Sequence, residues 1–139
     1  MNIKKVSIAG LAGGVVSFLL GWLLYGMLMQ DYYATNTNQS SMRAEADMIW
    51  WAMIAFNLAW GVFYAYIFSR WANISTLTAG VYAGAKINFM LGIIMSLSFW
   101  AMTTMYNSLN VVFVDIAINV IMGAVVGGVV GLVLGKLKD

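Results

Sequence analysis

The stretch from Leu77 to Tyr106 most constrains how this chain can fold. It is long and apolar enough to cross a bilayer as a helix, yet Lys86 and Asn88 lie well inside it. A helix spans the ~30 Å hydrocarbon core with about 20 mostly apolar residues, so both polar side chains fall far from the ends. An ammonium or an amide at that depth needs a polar partner or a water-filled space. The rest of the chain must therefore fold around these two groups.

Three further segments have the length and apolar character of membrane spans. Of the 139 residues, 63% are hydrophobic and 9% are charged, against roughly 25% charged in soluble domains. The segments lack the alternating pattern of barrel strands. We therefore predict an all-α polytopic membrane protein, a four-transmembrane-helix antiparallel bundle forming a single domain over residues 1–139. The predicted spans are Val6 to Met29, Met48 to Phe68, Leu77 to Tyr106 and Val111 to Leu134.

Basic residues lie mostly on one side of this four-span arrangement. By the positive-inside rule, we expect both termini and the loop at Arg70 to be cytoplasmic. The residues on that side are Lys4, Lys5, Arg70, Lys136 and Lys138, whereas only Arg43 lies on the other side. The first apolar run follows two lysines as in a signal peptide, but it is too long and no small-residue cleavage site follows it. We therefore expect it to remain as the first helix.

The residue types present restrict the chemistry available to the chain. It contains no cysteine and no histidine, which removes disulfides, thiolate nucleophiles, zinc clusters and imidazole bases. Catalysis in the membrane would need paired acid and base groups, and only one carboxylate lies within a span. We therefore expect no enzyme, no metal and no cofactor. The net charge of +2 comes mostly from loop lysines and gives no signal for nucleic acid. We expect membrane lipid as a partner and no nucleic acid.

Each predicted span carries a small polar residue followed four positions later by glycine. At ~1.5 Å per residue, these polar residues lie roughly 14 to 17 Å from the ends of their helices, near the middle of the hydrocarbon. We expect them to point into the bundle and form a polar layer, because other helices are the available partners. The four pairs are Ser17 and Gly21, Asn57 and Gly61, Asn88 and Gly92, and Asn119 and Gly123.

The glycines extend this spacing into stripes along the helices. Small residues four positions apart let helix backbones approach closely, which promotes association in lipid. We therefore predict helix packing as the role of the stripe glycines. The residues assigned to packing are Gly21, Gly61, Gly84, Gly92, Gly123 and Gly127.

Lys86 and Asp115 are the ionisable residues within the spans. Lys86 is ~200° around the helix from Asn88, so it cannot share the glycine stripe. It must face another helix, a water-filled cavity or a neighbouring subunit, or reach toward an interface, and a structural role and a functional role both stay open. Asp115 enters the fourth span about 10 Å shallower than Lys86. We favour a helix-dipole role for Asp115, and the alternative is a water-bridged relay with the asparagines.

Several local motifs resemble those of small bacterial four-span inner-membrane proteins that are catalogued only as domains of unknown function. The motifs are Gly21-Trp22-x-x-Tyr25-Gly26 in the first span, Asn57 to Gly61 with Tyr64-Ala65-Tyr66-Ile67-Phe68 in the second, and Val114-Asp115 to Gly127-Gly128 in the fourth. The resemblance covers most of the chain. It implies a four-helix bundle in a bacterial inner membrane, with no assigned activity and no catalytic residues.

Two functional hypotheses follow from these observations. The first, which we prefer, is a non-enzymatic bundle that binds a small molecule, ion or lipid at a midplane polar site, with transport requiring a dimer or larger homo-oligomeric assembly. The second is a structural or accessory subunit of a larger membrane complex, in which Lys86 pairs with a carboxylate of the partner. The candidate ligand-binding residues are Lys86, Asn57, Asn88, Asn119 and Asp115.

Overall fold

A computed structural model describes residues 2–137, which form helices joined by loops, with no strand among these residues. The helices are α1 (Ile3–Leu23), α2 (Gln30–Asn36), α3 (Trp50–Ile67), α4 (Leu77–Met102) and α5 (Leu109–Lys136). A π turn extends α1 over Leu24–Leu28, and another extends α3 over Phe68–Ala72. Lys138, one of the residues used for the orientation above, lies outside the described range.

Four of these helical segments are long and apolar enough to cross a membrane. The all-α, four-helix architecture is therefore confirmed, and the chain is a multi-pass membrane protein. The third span ends at Met102, earlier than the predicted Tyr106, and Tyr106 lies in the loop between α4 and α5. The spans are Ile3–Leu28, Trp50–Ala72, Leu77–Met102 and Leu109–Lys136.

Local signals in the sequence set several of the helix ends. The side chain of Asn2 accepts a hydrogen bond from the backbone N–H of Lys5, and that of Thr76 accepts one from Ala79. Such caps satisfy backbone donors that a helix leaves free at its start. Beyond α3, Asn73 adopts a left-handed conformation with φ of 50°, which turns the chain away from the helix axis.

The four spans form two antiparallel pairs. The most extensive packing joins α4 to α5, and the next most extensive joins α1 to α3. The two pairs meet mainly through α1 and α5. The least buried span is α4. Of its most apolar 18-residue stretch, 17% of the residues are buried, against 28 to 39% in the corresponding stretches of the other three spans. Much of the surface of α4 therefore faces outward.

Glycines bring the backbones of both pairs into direct contact. A Cβ atom added to Gly84 would collide with the carbonyl oxygen of Gly123, and one added to Gly61 would collide with the backbone of α1. A Cβ on Gly123 would lie 2.5 Å from that of Asn88. The contact at Gly21 is ordinary, because a Cβ there would lie 3.6 Å from the flexible end of Met122. The close approach is thus specific to part of the glycine stripe.

We expect Gly84→Ala to destabilise the protein by about 1–3 kcal/mol, because the added methyl group forces α4 and α5 apart. Gly21→Ala is the matched control, since its methyl group meets only a movable side chain. Thermal unfolding of both variants in detergent measures the difference. Equal midpoints for the two variants would contradict the tight α4–α5 contact.

Candidate functional site

The carboxylate of Asp115 is the centre of a cluster of hydroxyl groups near the end of the bundle that carries the α1–α3 and α4–α5 loops, termed the outer end. Its Oδ1 accepts hydrogen bonds from the hydroxyls of Tyr25 at 3.0 Å and Tyr33 at 2.9 Å. Its Oδ2 accepts from Ser96 at 2.7 Å and Tyr106 at 3.1 Å. An ionised carboxylate offers about four lone-pair positions, so four hydroxyl donors match its capacity. No basic side chain takes part in these contacts.

The four donors come from four separate parts of the chain. Tyr25 lies in the π turn after α1, Tyr33 in α2, Ser96 in α4, and Tyr106 in the loop between α4 and α5. Because Asp115 itself belongs to α5, this one side chain connects three spans and both outer loops. The cluster therefore fixes the outer end of the bundle.

Backbone contacts hold the two outer loops together beside this cluster. Thr37 and Tyr106 form an isolated antiparallel bridge. The N–H of Asn38 donates to the carbonyl of Met105 at 2.8 Å, and the N–H of Asn107 donates to that of Asn36 at 3.0 Å. These bonds hold Tyr106 beside Asp115 of α5. The polar loop that follows the first span is thus anchored where it passes Asp115.

The tyrosines outside the spans are held in their protonated form. Burial, followed by the nearby negative charge of Asp115, raises the pKa of Tyr106 to about 12. The same two causes, in the same order, raise the pKa of Tyr33 well above its usual range. Both hydroxyls therefore remain donors to Asp115 across the neutral range.

A second set of hydrogen bonds runs from Asp115 to the middle of the membrane. The amide of Asn119 donates to the backbone carbonyl of Asp115 at 2.9 Å. The amide of Asn88 donates to the carbonyl of Asn119 at 2.8 Å, and the hydroxyl of Tyr64 donates to Oδ1 of Asn88 at 2.5 Å. This network joins α3, α4 and α5 through Tyr64 and Asn88, which are buried, and Asn119, which is half-buried.

Asn57 belongs to a separate network between α1 and α3. Its Oδ1 accepts a hydrogen bond from the hydroxyl of Ser17 at 2.7 Å, and its amide donates to the carbonyl of Met53 at 2.8 Å. Both side chains are buried. The four small polar residues expected to form one layer thus occupy two networks, Ser17 with Asn57 and Asn88 with Asn119.

A small, partly open cavity lies between the two networks. Its volume is about 30 Å³, and its polar wall consists of Ser17, Tyr64, Asn88 and Asn119. Pockets for drug-sized molecules measure about 300–1,000 Å³. The cavity therefore has room for water but not for an organic ligand. Within residues 2–137, acidic side chains are too dispersed to form a metal-binding group of three or more.

Lys86 lies apart from all of these groups. Its side chain is exposed on the outside of α4, flanked one turn away on either side by Tyr82 and Met90, which are 66% and 58% exposed. No described residue forms a hydrogen bond or ion pair with it. The structure thus brings Asn88, Asn119 and Asp115 into one network and places Asn57 in another. Lys86 belongs to neither network and lies on the side of α4 that faces away from the bundle.

The sequence interpretation overlooked the hydroxyl partners of Asp115. Tyr33 and Tyr106 each lie near the end of a predicted span, where tyrosines are common because they suit the membrane interface. Asp115 lies six residues into α5, about 9 Å from its start, whereas helix-dipole effects fall off within the first turn. Its partners are hydroxyl groups rather than free backbone donors. The available signal in the sequence was that Asp115 and these tyrosines lie at a similar depth in the bundle.

We expect Asp115→Asn to loosen the outer loop. An amide oxygen has two lone pairs, so at least two of the four hydroxyls would lose their acceptor, each worth about 1.5–3 kcal/mol to a charged group. Limited trypsin digestion tests this, since Arg43 is the only basic residue between Gln30 and Asp47. Cleavage should accelerate in this variant and remain unchanged in the control Asp47→Asn, an exposed carboxylate of the same loop. Equal cleavage rates would contradict the anchoring role.

The raised pKa of Tyr106 predicts a loss of stability in strong alkali. The folded protein keeps this proton up to a pH of about 12, whereas the unfolded chain releases it near 10. Stability from this group is therefore complete below pH ~10 and declines as the pH rises to about 12. Tyrosinate absorbance and unfolding should be followed together in wild type and Tyr106→Phe. A tyrosine titration that is complete near pH 10 in the folded protein would contradict the buried cluster.

Comparison with known proteins gives no relative for this chain. No family model matches the sequence, and neither a curated protein nor a solved structure matches it. The resemblance to small bacterial four-span proteins therefore stays a prediction. Of the residues that carry it, Gly61 packs against the backbone of α1, Tyr64 bonds Asn88, and Asp115 binds the hydroxyl cluster.

Proposed function

We propose that this chain is a membrane subunit that assembles side by side with a different membrane-spanning protein. The contact surface is the outward face of α4 centred on Lys86, with Tyr82 and Met90 beside it. The observation that carries the proposal is an exposed lysine far inside a span, without a partner among the described residues.

The depth of Lys86 makes an uncovered position costly. It lies nine residues after Leu77, the start of α4, so its Cα is roughly 14 Å from that end of the helix. A lysine at the centre of a span costs about 2.5–3.5 kcal/mol on insertion scales. A carboxylate on a neighbouring helix would offset this cost, since the two charges attract strongly away from water. A membrane-embedded Asp or Glu is therefore the partner chemistry that fits.

A second copy of this chain does not supply that carboxylate. Within the spans of the described residues, Asp115 is the only acidic side chain, and four hydroxyls already occupy it. Two copies meeting through this face would also place like charges opposite each other. These two points favour a heteromeric contact on α4.

The small size of the cavity between the polar networks supports the same choice. The midplane hypothesis requires space for a small molecule or lipid, and the cavity between the polar networks measures about 30 Å³. A larger groove of about 200 Å³ between α1 and α3 is bounded mostly by apolar residues, including Phe18 and Leu58. Assembly through α4 needs neither space.

The distribution of basic residues supports an orientation for the proposed subunit. Lys4 and Lys5 at the start of α1, Arg70 after α3 and Lys136 at the end of α5 fall at one end of the bundle, while Arg43 falls at the other. We propose that the end with four basic residues faces the cytoplasm of a bacterium, with the spans in its inner membrane.

The proposed contact is tested by charge reversal after identification of the partner. A photo-crosslinking amino acid in place of Tyr82 or Met90 should capture one membrane protein in native membranes. Lys86→Asp should abolish its co-purification, and exchanging the partner's intramembrane carboxylate for lysine should restore it. Lys86→Arg should retain the complex, because it keeps the charge.

Lys136→Asp is the matched control, since it reverses a lysine at the end of α5 and should leave the complex intact. Capture that is equally efficient from Lys86→Asp would overturn the proposal. Cross-linking of positions 82 or 90 only to a second copy of this chain would also overturn it.

A further inference from the structure

We infer that the central cavity is a binding site for an ordered water molecule that joins the two polar networks. This inference goes beyond the proposed assembly through α4 and does not depend on it. The cavity receives one polar side chain from each span, namely Ser17 from α1, Tyr64 from α3, Asn88 from α4 and Asn119 from α5.

The volume and the lining both match a water molecule. The cavity measures about 30 Å³, whereas one buried water needs at least about 10–15 Å³ on the same kind of measure. Internal cavities that remain dry have apolar walls. Here Trp60, Met122 and Val126 form the apolar part of the wall, and the four polar side chains form the rest.

Unused hydrogen-bonding capacity surrounds this space. The Oδ1 atom of Asn119 accepts no hydrogen bond from the described residues. Ser17 uses its hydroxyl hydrogen on Asn57, which leaves its oxygen free to accept, and the amide of Asn88 has a second N–H beyond its bond to the carbonyl of Asn119. One water can donate to two acceptors and accept from one donor. That total of three bonds is typical of buried water.

The water would turn two networks into one chain of hydrogen bonds. The chain would run from Asn57 and Ser17 through the water to Asn119, and from there to Asp115 and its hydroxyl donors. Toward the other end of the bundle, the core is apolar and includes Phe68, which is fully buried. The polar chain therefore reaches the midplane from the outer side and stops there.

Solid-state NMR of the full chain in lipid bilayers tests this site. Magnetisation transferred from water should reach the side-chain amides of Asn88 and Asn119. The methyl groups of Val130, which is buried in the apolar core, should receive none. Transfer to the two amides that is no greater than transfer to Val130 would overturn the inference.

A pair of variants separates the cavity from general solvent access. Val126 is 2% exposed and lines the cavity, so Val126→Leu should fill it and abolish transfer to Asn119. Val125→Leu is the matched control, because this neighbour is 40% exposed on the outside of α5 and its enlargement should leave transfer unchanged. If Val126→Leu does not fold, Ser17→Ala removes one of the two acceptors of the water and should reduce transfer. Undiminished transfer in the folded variant would overturn the site.

Discussion

Every buried polar group in a membrane bundle needs a partner within the protein, since the surrounding hydrocarbon offers none. In this chain the requirement centres on Asp115, whose two oxygens accept from Tyr25, Tyr33, Ser96 and Tyr106. Neutral hydroxyls rather than a basic side chain surround the charge. The outer loops and three spans converge there because that is where their donors find an acceptor. Buried side-chain polar atoms among residues 2–137 all have a hydrogen-bond partner.

Two mechanisms hold the spans together at different depths. At the outer end, hydrogen bonds to Asp115 connect α1, α4 and α5, and further in Tyr64 connects α3 to Asn88. Glycines such as Gly84 and Gly123 let the α4 and α5 backbones meet directly. Hydrogen bonds thus specify which spans are neighbours, and close packing supplies contact area along the α4–α5 pair.

The sequence predicted the architecture more fully than the site. Four apolar runs defined the spans, because the thickness of a bilayer leaves few alternatives for such segments. The asparagines were placed inside from the cost of an amide in hydrocarbon, and the structure buries Asn57 and Asn88. The tyrosine partners of Asp115 could not be assigned, because donors at positions 25, 33 and 106 are adjacent only after folding. For Lys86, helical geometry excluded a position on the glycine stripe. It left open which surroundings the side chain faces, because these depend on how the helices pack.

The π turn at the end of α1 has a consequence for how the chain tolerates changes in length. A π turn holds one more residue per turn than an α turn, so residues beyond it are rotated relative to a regular continuation. Tyr25 lies within this turn, and its angular position depends on that extra residue. Deleting one residue there would swing the phenol ring away from α5 by about 100°. The exposed segment between Gln39 and Asp47 carries no such constraint, and insertions are far better accommodated there.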